Sequence, residues 1–394
     1  MKLKNLSVAM ILAAVPMTGT FAAAMDRSGQ SVSAFLQPGN YAEAGLMILD
    51  PNVSGTATPA LGGKNTGDMA SSYHSASAAL KIQATDNISI GLLFDQPFGA
   101  KAQYETGDNA FSNANGGTSA EVTTENLTLL VGFQPNANWN FYAGPVWQQA
   151  KGEVHLRSQG STGAYSIFGL DSYDATMKNE DAWGWAAGLA YQIPEIALKT
   201  SLTYRSEIKH KLHAKESLQT NYASQQATIN ALSSLGEITE VTTPQSVNLD
   251  FQTGIMADTV AFANVRWVNW DGFSITPYAF GRIASGKTLV EYSKDQWTIN
   301  AGVGRKFSEK WAANVSVGWD SGAGNPVTTL GPTDGYWSLG LGAQFSPATN
   351  YFVQGGIKYF WLGNAQGMTA SSDNVGQFKD NHAIGYGLKF GYKF

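Results

Sequence analysis

Between residues 213 and 245, Leu218, Tyr222, Ile229, Leu232 and Leu235 recur at helix-compatible spacings amid Ser, Gln, Asn and Thr. A stripe of that kind predicts a greasy groove that takes an apolar molecule out of water, or else a helical loop packing a small core of its own. If such a molecule carries a carboxylate, the chemistry also requires a cation, because a carboxylate stripped of water needs a charge-assisted partner. Reactive chemistry is sparse elsewhere. The five histidines (His74, His155, His210, His213, His382) show no metal-ligand spacing, and the chain has neither a Gly-x-Ser-x-Gly element nor a phosphate loop. His210 and His213 lie close, but a pair at a strand end is ordinarily solvated. Whether separate loops assemble a Ser/His/Asp or Asp/His group is a question for tertiary structure. The residues point to binding and passage without catalysis, and without nucleotide, metal or other cofactor.

The elements that would hold such a site read as strands. Gly385 to Phe394 places five apolar residues on one face and only Gly and Lys on the other. That is the period of a membrane barrel strand, with lipid on one side and lumen on the other. Strand-like segments fall near 40–50, 73–84, 87–96, 119–134, 138–156, 182–193, 196–212, 246–257, 260–271, 289–304, 310–320, 335–346, 349–362 and 382–394. Short turns alternate with long polar segments near 51–72, 97–118, 157–181, 213–245, 272–288, 321–334 and 363–381. Outer-membrane barrels keep short periplasmic turns and long outer loops, so the expectation is an all-β, 14-stranded antiparallel transmembrane β-barrel. Aromatic residues near strand ends, among them Trp183, Trp185, Trp267 and Trp270, are expected in interfacial girdles. Ile88 to Phe94 alternates cleanly, then meets Pro97, which cannot donate to the ladder, and Gly99, which permits a kink; the strand is either bent or finished there.

Composition agrees. A mean hydropathy of −0.17, 43 Gly, and no Cys suit an exported protein whose wall is built from strands. A formal charge of −5 argues against a nucleic-acid partner, and only 14% charged residues argue against a wide water-filled porin. The basic start, the apolar stretch to Met17 and Ala22-Ala23-Ala24 read as an export signal over residues 1–24.

Several motifs in order resemble the FadL family of long-chain fatty-acid and hydrocarbon transporters. They are Ala182 to Tyr191 with Leu202 to Lys209, Thr243 to Val247 leading to Trp267-Val268-Asn269-Trp270, Tyr292 to Trp297, Phe307 to Trp311, Gly318 to Ser321, and Ile48 to Val53. The resemblance implies that Phe168, Leu170, Tyr173 and Met177 form the second wall of the outer groove. It implies that Arg157 faces a ligand carboxylate and that Lys294 supplies a second basic contact; otherwise both are lumen or rim charges neutralising Glu153 and Asp295. It further implies that Pro97, Phe98 and Gly99 open a lateral gap in the third strand. The family's N-terminal plug is shorter here, leaving a hatch at 25–39 with Phe35, Leu36 and Pro38, followed by a barrel over 40–394. Expected, then, is a monomer in the bacterial outer membrane, surrounded by lipid and lipopolysaccharide. It would take up long hydrophobic molecules such as long-chain fatty acids by diffusion and release them laterally. A general porin is the alternative, and a barrel hydrolase a more distant one.

Overall fold

In a computed structural model, the described residues are 24–159, 163–165, 169–220, 222–233 and 238–394; the expected export signal lies outside them as far as residue 23. The wall strands are β1 (Tyr41–Asn52), β2 (Tyr73–Gln83), β3 (Ile88–Asp95, resumed at Gly99–Gln103), β4 (Ser119–Phe133), β5 (Trp139–Arg157), β6 (Leu170–Ile193) and β7 (Leu198–Arg205, resumed at Ile208–Thr220). They continue as β8 (Ile238–Thr243, resumed at Ser246–Met256), β9 (Thr259–Val268), β10 (Gln296–Lys306), β11 (Trp311–Asp320), β12 (Tyr336–Ala348), β13 (Tyr351–Leu362) and β14 (His382–Lys393). Each pairs antiparallel with its sequence neighbour, and β1 pairs with β14 from Tyr41↔Lys393 to Asn52↔His382, closing the sheet into a 14-stranded barrel. Closure leaves the sheet without a free edge strand, which matters because an unpaired backbone group in hydrocarbon costs several kcal/mol. No helix among the described residues is long and apolar enough to cross a membrane.

Period-2 alternation decides what faces lipid. Leu46, Ile48, Leu80, Ile90, Leu92, Leu129, Val315, Leu341, Ile357 and Leu388 all point outward and are exposed, with Trp183, Trp185, Trp297, Trp311, Trp337 and Trp361 on the same surface. In water this belt would aggregate; in a bilayer it is the solvent-matched face.

The upper wall corrects the loop assignments. β6 begins at Leu170 instead of near 182, β7 runs to Thr220 instead of ending near 212, and Ile238–Thr243 is strand instead of loop. Above the bilayer the pattern inverts: Ile208, Leu212, Ala214 and Leu218 are buried inward while Lys209, Lys211, His213 and Lys215 point out. A strand whose outer face meets water no longer shows the lipid-facing signal that locates membrane strands. β10 likewise starts at Gln296 instead of near 289, and residues 269–295 form a loop bearing the short helix Tyr278–Ile283. Strands from three outer loops, Gly55–Ala57, Val327–Thr328, Ala365–Thr369 and Ser372–Phe378, join in a small sheet.

Residues 24–40 lie against the inner wall. Lys199 Nζ donates to Leu36 O at 2.6 Å and Asn248 Nδ2 to Gly29 O at 2.7 Å. Phe35 is buried with its ring 5.6 Å from that of Tyr142; Leu36 is buried too, whereas Pro38 is exposed. The sharp turn into β1 forms at Gln37 to Asn40: Gly39 adopts φ +66°, which a side chain would strain, and Lys81 Nζ holds the carbonyls of Gln37 and Gly39 at 3.0 and 2.9 Å.

Candidate functional site

Inside the outer half of the barrel lies an apolar cavity of about 840 Å³, including its open side. Its walls come from distant parts of the chain: Met25, Phe98, Ala150, Leu212, Trp270 and Val290 are among them. At the centre is an aromatic cluster. The fully buried Trp270 ring sits 5.5 Å from Phe98, 4.9 Å from Phe273 and 5.1 Å from Tyr292, all edge-on. Such edge contacts add to plain area burial and present ring faces and edges to a guest. Trp270 Nε1 donates to Gln296 Oε1 at 2.7 Å, so its one polar atom is satisfied away from the cavity. Burial pushes the Tyr292 phenol up, so the aromatic cluster itself stays uncharged at ordinary pH.

The roof is the loop 269–295, held down by one carboxylate. Glu216 of β7 accepts Ala279 N and Phe280 N at 2.9 Å each, and the Tyr173 hydroxyl at 3.0 Å. Glu216→Leu would leave these three buried donors without that acceptor, at about 1–3 kcal/mol each. The expected result is backbone hydrogen exchange at Ala279 and Phe280 roughly ten- to hundredfold faster, with wall strands unchanged. Unaltered exchange in the roof would show that Glu216 does not hold it.

The cavity floor meets the break in β3. The β3–β4 ladder runs to Asp95↔Asn126 and resumes at Gly99↔Thr123, so the chain leaves the ladder around Pro97 and Phe98. The N-terminal segment fills the inner side: Arg27 N donates to Pro97 O at 2.6 Å and Gly99 N to Met25 O at 2.8 Å. The Arg27 guanidinium stacks 3.7 Å from the Tyr73 ring centroid. Pairing between β2 and β3 stops at Ala78↔Phe94, and beyond it Ala76 N is met by a side chain, Gln96 Oε1, at 3.0 Å. A second cavity, of about 790 Å³ including its open side, lies at this place. Its lining passes from Arg27 and Ser28 inside to Ser77 of the wall and to the outward-facing Leu46 and Leu388.

The family described as outer membrane protein transport protein (OMPP1/FadL/TodX) matches residues 24–394. The chain belongs to this family. It is therefore an outer-membrane transport protein, its wall crossing the membrane many times. Among solved structures it is similar to a Pseudomonas aeruginosa FadL homologue, with 15% identity, TM-score 0.69 and 92% of each chain covered. It is also similar to the Pseudomonas putida toluene transporter TodX, with 11% identity, TM-score 0.64, and 94% and 97% of the two chains covered. A third is the CymD monoaromatic hydrocarbon channel, with 11% identity, TM-score 0.59, and coverage of 96% and 97%. No curated protein matches the sequence.

Against this geometry, several residues expected at the family's ligand site stand elsewhere. Arg157 is an odd-numbered residue of β5, whose even-numbered side chains, Val154 and Leu156 included, are the inward ones. It lies on the outside of the wall, with Nη2 2.6 Å from Asp174 Oδ1, so it does not face the cavity. Lys294 is exposed in the loop before β10 and does not line the cavity either. Leu170, Leu218 and Ile229 are buried in the core above it, the last from the helix Ala223–Ser233. Tyr222 is 47% exposed. Phe168, Leu235 and the Leu232 side chain fall outside the described residues, while Met177 does line the cavity. Phe98 does so as well, and Pro97 and Gly99 bind the N-terminal segment.

Trp270 was expected in the girdle and is instead the centre of the cavity wall. The missed signal is spacing: Trp267 and Trp270 are three residues apart, so they cannot share one face of a strand.

Proposed function

We propose that the barrel takes up hydrophobic molecules, a long-chain fatty acid or an aromatic hydrocarbon, by passive diffusion as a monomer. The solute would leave the outer leaflet region, enter the apolar cavity under the 269–295 loop, and exit laterally into the bilayer past the β3 break. The observation that carries this reading is the apolar, aromatic-walled cavity placed beside an interruption in the wall. Its lining is mostly apolar and aromatic, which suits a hydrophobic solute better than a water-soluble one. The toluene transporter and the monoaromatic hydrocarbon channel share the fold, which supports the same solute class here. The ties of residues 25–39 to the inner wall support a hatch role for them, which would separate this reading from a general porin.

The test measures uptake of toluene and of a long-chain fatty acid by cells with and without the protein, beside conductance in planar bilayers. The expected result is slower uptake of at least one solute on deletion, with little small-ion conductance. Large stable conductance without a change in hydrophobic uptake would favour the porin.

A further inference from the structure

The two cavities approach one another and share no lining residue. The apolar one ends at Met25 and Phe98, and the one beside the β3 break begins at Arg27 and Asp95. Between them the backbone is closed by a short antiparallel bridge, Asp26↔Phe98, with Arg27 N donating to Pro97 O and Gly99 N to Met25 O on either side. Arg27 and Tyr73 complete the partition. Tyr73 stands on the inner face of β2, where Ser75 and Ser77 of the second cavity follow it, and it packs in the same buried cluster as Met25 and Phe98. The Arg27 guanidinium lies against this ring, 3.7 Å from its centroid.

Little else holds that guanidinium. Arg27 is 6% exposed, and its Nε and Nη2 have no hydrogen-bond acceptor among the described residues. The carboxylates around it are engaged or distant from the lumen: Asp26 is gripped by Arg266, Asp95 accepts Ser28 Oγ, and Glu121 is exposed on the outer side of β4. Burying N–H groups without acceptors is unfavourable, and the aromatic face is the partner that offsets it. A Cβ on Gly99 would lie 2.6 Å from Arg27 Cζ, so the guanidinium occupies room that exists only because residue 99 is glycine. The backbone on both sides is fixed in the bridge, which leaves the Arg27 side chain as the part of the partition that can turn aside. A solute crossing from one cavity to the other must displace it from Tyr73. An aromatic solute offers a ring in exchange, so the cation keeps a π face throughout. A saturated solute of the same size leaves it bare in a place of low dielectric.

We propose that Arg27 and Tyr73 form a selective gate between the two cavities, opened by aromatic solutes whose ring takes the place of Tyr73 on the guanidinium. This rests on the transport reading and narrows it, since it makes residue 27 the point at which aromatic hydrocarbons are told from saturated ones. The cavity admits both; the gate passes one.

The experiment compares toluene with methylcyclohexane, which share a carbon skeleton and differ in the π system. Uptake is measured in cells with and without the protein, and the difference is the protein-dependent rate. In the wild type that rate should be about tenfold higher for toluene, the worth of a cation–π contact in a desolvated place. Arg27→Met, an apolar side chain that needs no π face, should bring the two rates to within about twofold. Arg27→Lys keeps a cation and should retain a preference for toluene. Small-ion conductance in planar bilayers, recorded for each variant, reports whether the N-terminal segment stays seated, and it should stay at the wild-type level. Equal rates for the two solutes in the wild type would overturn the gate, and so would an unaltered preference in Arg27→Met. Loss of preference accompanied by large conductance would show that Arg27 seats the segment and does not screen solutes, which also overturns it. Wild-type protein that raises uptake of neither solute sinks the transport reading itself, a failure separate from that of the gate.

Discussion

Replacing Arg266 by Met should open the barrel to small ions. Arg266 of β9 is 2% exposed and grips the N-terminal segment with its whole guanidinium: Nε to Asp26 Oδ2 at 2.6 Å, Nη2 to Asp26 Oδ1 at 3.2 Å, and Nη2 to Gln30 Oε1 at 3.0 Å. Its remaining amine donates to Asn248 Oδ1 at 2.8 Å, fixing the fork to the wall. Removing one member of a buried pair leaves the other charge uncompensated, which costs about 3–5 kcal/mol. That would shift the ratio of seated to released segment by about a hundredfold or more. The barrel itself should survive, because the backbone ladder Arg266↔Thr298 and Asn248↔Arg266 needs no side chain. Single-channel recordings should therefore show openings that the wild type lacks. Removing both charges, in Arg266→Met with Asp26→Asn, should restore much of the closure. A correctly assembled Arg266→Met barrel with wild-type conductance would show that this pair does not retain the segment, and would place the hold at Lys81 and Lys199 nearer β1.

Ser77→Phe should block exit while sparing capture. Ser77 lies on the inner face of β2, opposite Gly45 of β1, and lines the opening beside the β3 break. A Cβ on Gly45 would stand 2.9 Å from Ser77 Oγ, so the hydroxyl leans over a residue without a side chain, and a phenyl ring there would project into the gap. Residue 77 is not part of the apolar cavity lining, so binding there should stay at the wild-type level. If the solute leaves through this gap, uptake of a hydrophobic compound should fall at least about tenfold, because even a small steric misfit worth 1.4 kcal/mol in the passage is tenfold in rate. Ser77→Thr, nearly isosteric, should transport normally. Uptake at the wild-type rate in Ser77→Phe would mean that the solute passes the N-terminal segment into the periplasm. Changing Gly99 instead would be a poorer test, since a Cβ there meets both the Arg27 guanidinium at 2.6 Å and Val122 O at 2.7 Å and would disturb the N-terminal segment.

How much of this was legible in the chain depends on whether the cause was local. The alternation in Ile88 to Phe94 and Gly385 to Phe394 is imposed by lipid on each strand separately, so the barrel, its strand number and its short turns could be read residue by residue. The same holds for the turn at Gln37 to Asn40, where Pro38 and Gly39 act within four residues. Above the membrane that cause disappears, and β6 and β7 extend through stretches that look like loops because their charged face meets water. The direction of Arg157 turned on parity along β5, and its Asp174 partner on a register shift between Met177 and Glu180 in β6, neither of which a motif match resolves. The cavity was out of reach for a different reason. Met25, Phe98, Leu212 and Trp270 meet only because the closed wall brings distant parts of the chain over one lumen, and Lys358 reaches Asn300 only because register sets Gly340 and Gly318 beside it. Period along a strand is a property of neighbouring residues; which side chains share a row across strands is decided by closure and pairing, and those exist only in the assembled fold.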